Sequence, residues 1–335
     1  MSSSSPPIIV SSFAVENDNT PILNTELKYE TQEDLGARIS DAVEVLEVGT
    51  NLYMSKELWV PTGARGGFGG QLVAQALRAA YKTVTDEFDI HALHSQFIIA
   101  CDTNIPVLYQ VQNLRDGRSY MNRYVTATQK NQLIFVCSLS FSKRNDFINL
   151  DHQIKMPQVP GPEQATSLFE KYSEALKQND LAPIQRKFLV IRLEEVALID
   201  FRQIEIPKPT NQQQHWFKTK GPVADDRGLH ACIIAYASDM TFINAAATSN
   251  GLYPKGISML TSLDHSMWFH SPVKADDWLL YDVESPRTSS GRGLVCGKVY
   301  TRDGKLAVTA TQEGVVRLTK GEQERRRNAQ NDSKI

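Results

Sequence analysis

The sequence predicts an α+β protein in which one folding unit occurs twice. Each copy is a long central helix wrapped by a curved antiparallel sheet. Three observations predict it. First, LHSQFIIACDTNIPVLYQVQNLRDGRSYMNRY in the first half is echoed by LDHSMWFHSPVKADDWLLYDVESPRTSSGRGLVCGKVY in the second. His94-Ser95 aligns with His265-Ser266, Tyr109 with Tyr281, Val111 with Val283 and Gly117-Arg118 with Gly291-Arg292. Offsets of 171, 172, 172 and 174 residues drift only by loop-sized slips, so a whole unit is duplicated. Second, an Ala-rich apolar stretch of helical periodicity heads each copy. Third, strand-like segments punctuated by turn residues follow each helix.

Residues 1–30 are rich in Ser, Pro and Asn and are expected to be disordered or extended. Leu35, Ile39, Ala42, Val43 and Leu46 stand near helical spacing and predict an amphipathic lead-in helix within 33–50. The first repeat is expected over 31–143. Its helix starts at RGGFGGQLVAQALRAAYKTV, where Leu72, Val73, Ala76, Leu77 and Ala80 form a narrow stripe suited to close packing. Gly66, Gly67, Gly69 and Gly70 invite a phosphate-loop reading. The G-x-G-x-x-G spacing and the Gly-Lys-Ser/Thr ending are both absent, so close backbone approach at a helix start is the better account. Strands are expected in HSQFII, VLYQVQNLR, YMNRYVTATQ and LIFVCSLSFS, with turns at Asp116-Gly117 and Lys130-Asn131.

A charged linker is expected over 144–190, with ATSLFEKYSEALKQ helical inside it. The second repeat is assigned to 191–318. LVIRLEEVALIDFRQIEI reads as a strand, LHACIIAYASDMTFINAAA as the second central helix, and SMLTSLDHSMWFH, WLLYDVES, GLVCGKVYT and LAVTATQEGVVRL as the meander. Arg302-Asp303-Gly304-Lys305 marks a hairpin turn. Residues 319–335 read as a polar, flexible tail. A sheet curled around one central helix is the hot-dog arrangement. Two in one chain make a double hot dog, with the sheets joined edge to edge.

Bulk properties narrow the function. At 335 residues the chain can bury two cores, and 41% hydrophobic with 22% charged residues is ordinary for a globular protein. A formal charge of −2 offers no basic footprint for nucleic acid, and Arg325-Arg326-Arg327 reads as a solvated run. Cys101, Cys137, Cys232 and Cys296 form no C-x-x-C pair and read as small buried hydrophobes of a reducing compartment. No apolar run approaches the roughly 20 residues of a membrane span. The N-terminus lacks the basic and apolar regions of a secretory signal.

Three polar residues of the second repeat stand among residues that otherwise read as interior: Asp239 in AYASDM, Ser262 in TSLDHS and Gln312 in TATQEGV. Left alone, each would cost about 1–3 kcal/mol, whereas mutual satisfaction around one water would also give that water a base. Singly, Asp239 could be a cap or a solvated charge, Ser262 a plain strand serine, and Gln312 a partner of backbone. The G-x-S-x-G elbow and H-E-x-x-H are absent. Asp264-His265 is tempting as a base pair, but His94 at the matching place suggests a shared structural role for the histidines.

The motifs FGGQLVAQAL, LRDGRS, YASDM, SLDHSMWFH and QEGVVR resemble those of the acyl-CoA thioesterase II family, over about residues 33–318. The resemblance implies the double hot-dog fold and hydrolysis of acyl-CoA to free fatty acid and CoA. It implies that Asp239, Ser262 and Gln312 orient the hydrolytic water, without metal or organic cofactor. It also implies a homodimer or higher homo-oligomer. The peroxisomal branch ends in a Ser-Lys-Leu-like signal, which Ser333-Lys334-Ile335 resembles, so an import receptor is an expected partner. The first half has no Asp on its helix, and Leu139 falls near the Gln312 position, so it is expected to lack the site. Two rivals are an enoyl-CoA hydratase, which would want an Asp/His pair, and a non-catalytic acyl-CoA binding module.

Overall fold

The computed structural model describes residues 8–11, 27–61, 64, 66–145, 150–181, 183–195, 198–207, 210–252 and 256–332. Within the N-terminal segment, β1 (Ile8–Ser11) pairs antiparallel with β2 (Leu27–Glu30); the rest of the stretch expected to be disordered lies outside the described residues. Thr31 and Asp34 form a reciprocal capping box that starts α1 (Gln32–Val43). The helix stops at Val43, short of the expected 50. Leu46 stands 46% exposed on β3 (Val45–Gly49), where the chain is extended and only Val45 is buried.

The first unit continues with β4 (Leu52–Ser55), α2 (Gly69–Tyr81), β5 (Phe88–Phe97), β6 (Leu108–Asp116), β7 (Tyr120–Gln129) and β8 (Gln132–Lys143). Lys130 and Asn131 both adopt positive φ, as a two-residue hairpin turn requires. Residues 150–161 then run without regular structure to β9 (Thr166–Ser167), α3 (Leu168–Leu176) and α4 (Pro183–Glu195). The expected strand LVIRLEEVALIDFRQIEI divides. Its first part belongs to α4, which Pro183 opens and Leu- and Glu-rich turns sustain; only β10 (Ile199–Ile204) is extended.

The second unit has β11 (Gln212–Thr219), α5 (Arg227–Asp239), α6 (Asn244–Thr248), β12 (Ile257–Ser262), β13 (Asp264–Phe269), β14 (Leu279–Ser289), β15 (Arg292–Thr301) and β16 (Leu306–Leu318). The expected long helix ends at Asp239, and its remainder resumes as α6. The strand SMLTSLDHSMWFH likewise divides at Leu263. Both parts pair with β16, and Leu263 N–H and the Asp264 carboxylate hold the two polar groups of Glu313's backbone at the break. The flexible tail expected from 319 is instead a helix, α7 (Lys320–Asp332). Glu322 pairs there with Arg325 and Arg326, so helical charge pairs order a run that composition alone marks as solvated.

One sheet carries both units in the order β3-β4-β6-β7-β8-β5, then β13-β16-β15-β14-β11-β10-β9. The halves meet where β5 pairs with β13, from Asp264 opposite Gln96 to Trp268 opposite Ala92. The order is palindromic about that seam, and α2 and α5 pack together under it. Both helices are buried on nearly all sides, as helices held inside a curled sheet must be. This is the expected double hot dog. Tyr109 and Tyr281 take equivalent places: the first donates to Gln75 Oε1 at 2.7 Å, the second to the Ser238 carbonyl at 3.0 Å.

The seam corrects one part of the repeat. His265 lies opposite Ser95 and Ser266 opposite His94, so a two-fold relation across the seam preserves the face of each residue. His94 is exposed while His265 is fully buried, so they stand on opposite faces and are not equivalent. At the 172-residue offset of the two tyrosines, the counterpart of His265 is Leu93.

Candidate active site

Asp239 is the last residue of α5 and is only 9% exposed. The helix ends there because Met240 is already extended, at ψ 120°, and Thr241, at φ +65°, turns the chain away. On β16, burial alternates so that Ala310, Gln312 and Gly314 face the helices. Gln312 therefore meets Asp239: its Nε2 donates to Asp239 Oδ1 at 2.6 Å. Two of the three expected residues are thus in direct contact.

Ser262 is the last residue of β12, opposite Gly314. That register puts it on the same concave face as Gln312, as a diagonal neighbour, on the order of 7 Å away between Cα atoms. Among the described residues, its hydroxyl makes no hydrogen bond to Asp239 or Gln312.

His265 is the functional candidate that the sequence reading set aside. It is wholly buried, and Gln312 Nε2 lies 3.2 Å from its Nδ1. Its Nε2 is 2.9 Å from Ser238 Oγ, whose own proton goes to the Ala235 carbonyl at 2.9 Å. These bonds assign the roles in sequence. Nε2 carries the proton and donates to Ser238, while bare Nδ1 accepts from Gln312. Burial holds His265 below its ordinary pKa against the opposing pull of Asp239 and Asp264, so the imidazole is neutral near pH 7. With both protons of its amide nitrogen engaged, Gln312 turns its carbonyl Oε1 away. That oxygen is buried and has no partner among the described residues.

The first turn of α2 closes the other side. A methyl group at Gly69 would stand 2.9 Å from Asp239 Oδ2 and 3.0 Å from the Phe97 ring. One at Gly70 would stand 2.6 Å from the Tyr236 carbonyl. The glycines thus allow the backbone approach expected of them, and the N–H groups of Gly69 and Gly70, which precede the first intrahelical bonds, stand beside the carboxylate, while the Gln71 N–H donates to the Phe68 carbonyl. In the first unit, Leu93 lies opposite Leu139, where the second unit has His265 and Gln312. No group of three His, Cys, Asp or Glu among the described residues is placed to hold a metal.

Comparison with known proteins agrees with this architecture. The acyl-CoA thioesterase family profile matches residues 206–315, and the acyl-CoA thioesterase N-terminal domain profile matches residues 57–142. The chain is 37% identical to acyl-coenzyme A thioesterase 8 of Mus musculus, over 84% of this chain and 89% of that protein. It is 27% identical to peroxisomal acyl-coenzyme A thioester hydrolase 1 of Saccharomyces cerevisiae, over 84% of this chain and 94% of that one. Among solved structures, an acyl-CoA thioesterase II of Mycobacterium marinum superposes with a TM-score of 0.69 at 30% identity, covering 84% of this chain and 99% of its own. A chain with two hot-dog units, both family profiles in order, and this extent of identity belongs to the acyl-CoA thioesterase family.

Proposed function

We propose that this protein hydrolyses acyl-CoA thioesters to a free carboxylic acid and CoA with a water activated at Asp239. The observation that carries the reading is the buried Asp239–Gln312 contact, with Gln312 Oε1 beside it as an acceptor that has no partner among the described residues. Oε1 and the Ser262 hydroxyl hold the water, and the Asp239 carboxylate takes its proton. The water oxygen attacks the thioester carbonyl, whose developing oxyanion lies against the Gly69 and Gly70 N–H groups at the first turn of α2. Collapse of the tetrahedral species expels the CoA thiolate, which recovers the proton from Asp239. A thiol leaves readily because its pKa, about 8.5, is far below that of an alcohol, so no separate strong acid is needed.

His265 acts through Gln312 and not on substrate. Both its nitrogens are engaged, which speaks against a hydratase that would use it for proton transfer. Replacement of Asp239 by Asn tests the assignment. Thiol release from acyl-CoA should fall by about 10²–10⁴-fold with thermal unfolding little changed. Undiminished turnover would remove Asp239 from the mechanism.

The same reading extends to place and assembly. The tripeptide Ser333-Lys334-Ile335 lies outside the described residues; as an import address it would take the protein to the peroxisome, in keeping with the name of the yeast relative. Fusing it to a fluorescent reporter tests this directly, and a diffuse signal counts against it. A homo-oligomer is expected from the family resemblance, and sedimentation velocity distinguishes it from a 37.5 kDa monomer.

A further inference from the structure

We propose that the cleft over Gly228 is a second acyl-CoA site, one that binds the ligand without hydrolysing it. This inference rests on the placement of catalysis at Asp239. The two-fold relation across the seam carries the first turn of α2 onto that of α5 and the end of α5 onto that of α2. With the two 13-residue helices aligned, Tyr81 takes the place of Asp239, Arg227 that of Gly69 and Gly228 that of Gly70; a methyl group at Gly228 would stand 3.2 Å from both the Tyr81 ring and Asp226 Oδ1. Phe269 follows Phe97 at the 172-residue offset of the tyrosines. The backbone frame of the catalytic cleft therefore recurs at the other end of the helix pair.

Its chemistry does not recur. Tyr81 stands where Asp239 does, and its hydroxyl oxygen accepts the Ile90 N–H at 3.0 Å. Leu93 and Leu139 replace His265 and Gln312. Of the nearby ionisable groups, Asp89 is committed to Arg144 and Arg227. The Nε2 atoms of His91 and His270 are held by Ser140 and Thr309 hydroxyls at 2.8 and 2.9 Å. Asp225, Asp277 and Asp303 also line the cleft, but the end of the helix, where Asp239 stands in the second unit, presents the Tyr81 phenol and no carboxylate.

Space for a ligand does recur. A cavity of about 780 Å³ lies there, within the range of small-molecule sites, and contains none of Asp239, Ser262 or Gln312. Tyr81, Ile90 and Phe269 line its apolar part, which suits an acyl chain. Arg227, Lys274 and Arg302 stand at its polar part, each in an exposed salt bridge, to Asp89, Asp225 and Glu163. Exposed pairs contribute about 1 kcal/mol or less, so these cations can turn to the phosphates of a CoA headgroup at small cost. The apolar floor and the three half-exposed cations, which share the lining with Asp89, Asp225, Asp277 and Asp303, give a chain and a phosphate group separate places in one cleft.

Calorimetric titration with the non-hydrolysable thioether dodecyl-CoA tests the count. The full chain should bind two equivalents. Pro272→Trp, at the mouth of the cavity, should bind one and keep hydrolysis at low acyl-CoA within about twofold of the parent. Gly69→Phe, which fills the catalytic cleft, should lose the other equivalent together with hydrolysis. One equivalent in the parent, untouched by Pro272→Trp, overturns the second site and leaves the catalytic assignment standing. Loss of an equivalent in Gly69→Phe with hydrolysis retained overturns the catalytic placement on which the inference rests. Should Gly69→Phe fail to fold, Pro272→Trp alone decides the count. Dodecanoate titrated separately distinguishes a free-acid site: if it fills the cleft and dodecyl-CoA does not, the assignment to the thioester is overturned.

Discussion

Gln312 would be an ambiguous side chain without His265, because an amide can present either end to a carboxylate. The neutral imidazole accepts one amide proton and Asp239 the other, which leaves Oε1 as the end of the amide that can face a water. His265→Leu, which copies Leu93 of the first unit, should release that constraint. A lost buried hydrogen bond of about 1–3 kcal/mol corresponds to a fall in kcat on the order of 10- to 100-fold, with KM little changed. His265→Asn retains an acceptor and should recover part of the loss. The pH profile separates positioning from bulk. Protonated His265 cannot accept from Gln312, and burial depresses its pKa, so wild-type kcat should fall only as pH drops below about 6.5. His265→Asn should lose the part of that acid limb that is due to the imidazole; an unchanged limb would remove His265 from the mechanism. Asp239 and Gln312 were legible in sequence as polar residues at interior positions. His265 was hidden by an alignment with His94 at an offset of 171. That offset is odd where its neighbours are even, and a shift of one residue reverses the face of every strand side chain.

Among elements, β11 carries a second pH-sensitive device. His215 lies between Phe201 of β10 and Tyr281 of β14, and burial pushes its pKa down to about 4. The unfolded chain takes up a proton near 6.5 and the folded chain does not. The stabilisation is therefore complete above about 6.5 and lost as pH falls toward 4, at most about 3 kcal/mol for this one group. Urea unfolding at pH 7.5 and 4.5 should show a smaller acid loss in His215→Phe than in the parent; equal losses would count against His215. His91, His230 and His270 are depressed by burial in the same direction, so the substitution should blunt the slope and not abolish it. Strand positions such as β7 and β16 were readable because one buried face imposes strict alternation. The ends of elements were not. The stop of α5 at Asp239 depends on the conformations of Met240 and Thr241, and the order of α7 on charge pairs three and four residues apart.

Across the whole molecule, duplication explains both the architecture and its asymmetry. One palindromic sheet holds two units with the same frame, and only the second carries the carboxylate, amide and imidazole. The repeat made the frame legible, but its exact register needed the seam, where Asp264–Trp268 meets Ala92–Gln96. That seam has a practical consequence. The halves are joined by noncovalent strand pairing and by helix packing, and residues 150–161 lie along the second unit, with Trp216 Nε1 donating to the Pro160 carbonyl and Gln153 held at Gly304 and Leu306. A chain divided just before Leu150 should therefore reassemble from two co-expressed fragments into an active enzyme, while either fragment alone leaves an open strand edge and aggregates. Gene fission at this point would turn the protein into an obligate heterodimer, with thioesterase activity as the report of its assembly.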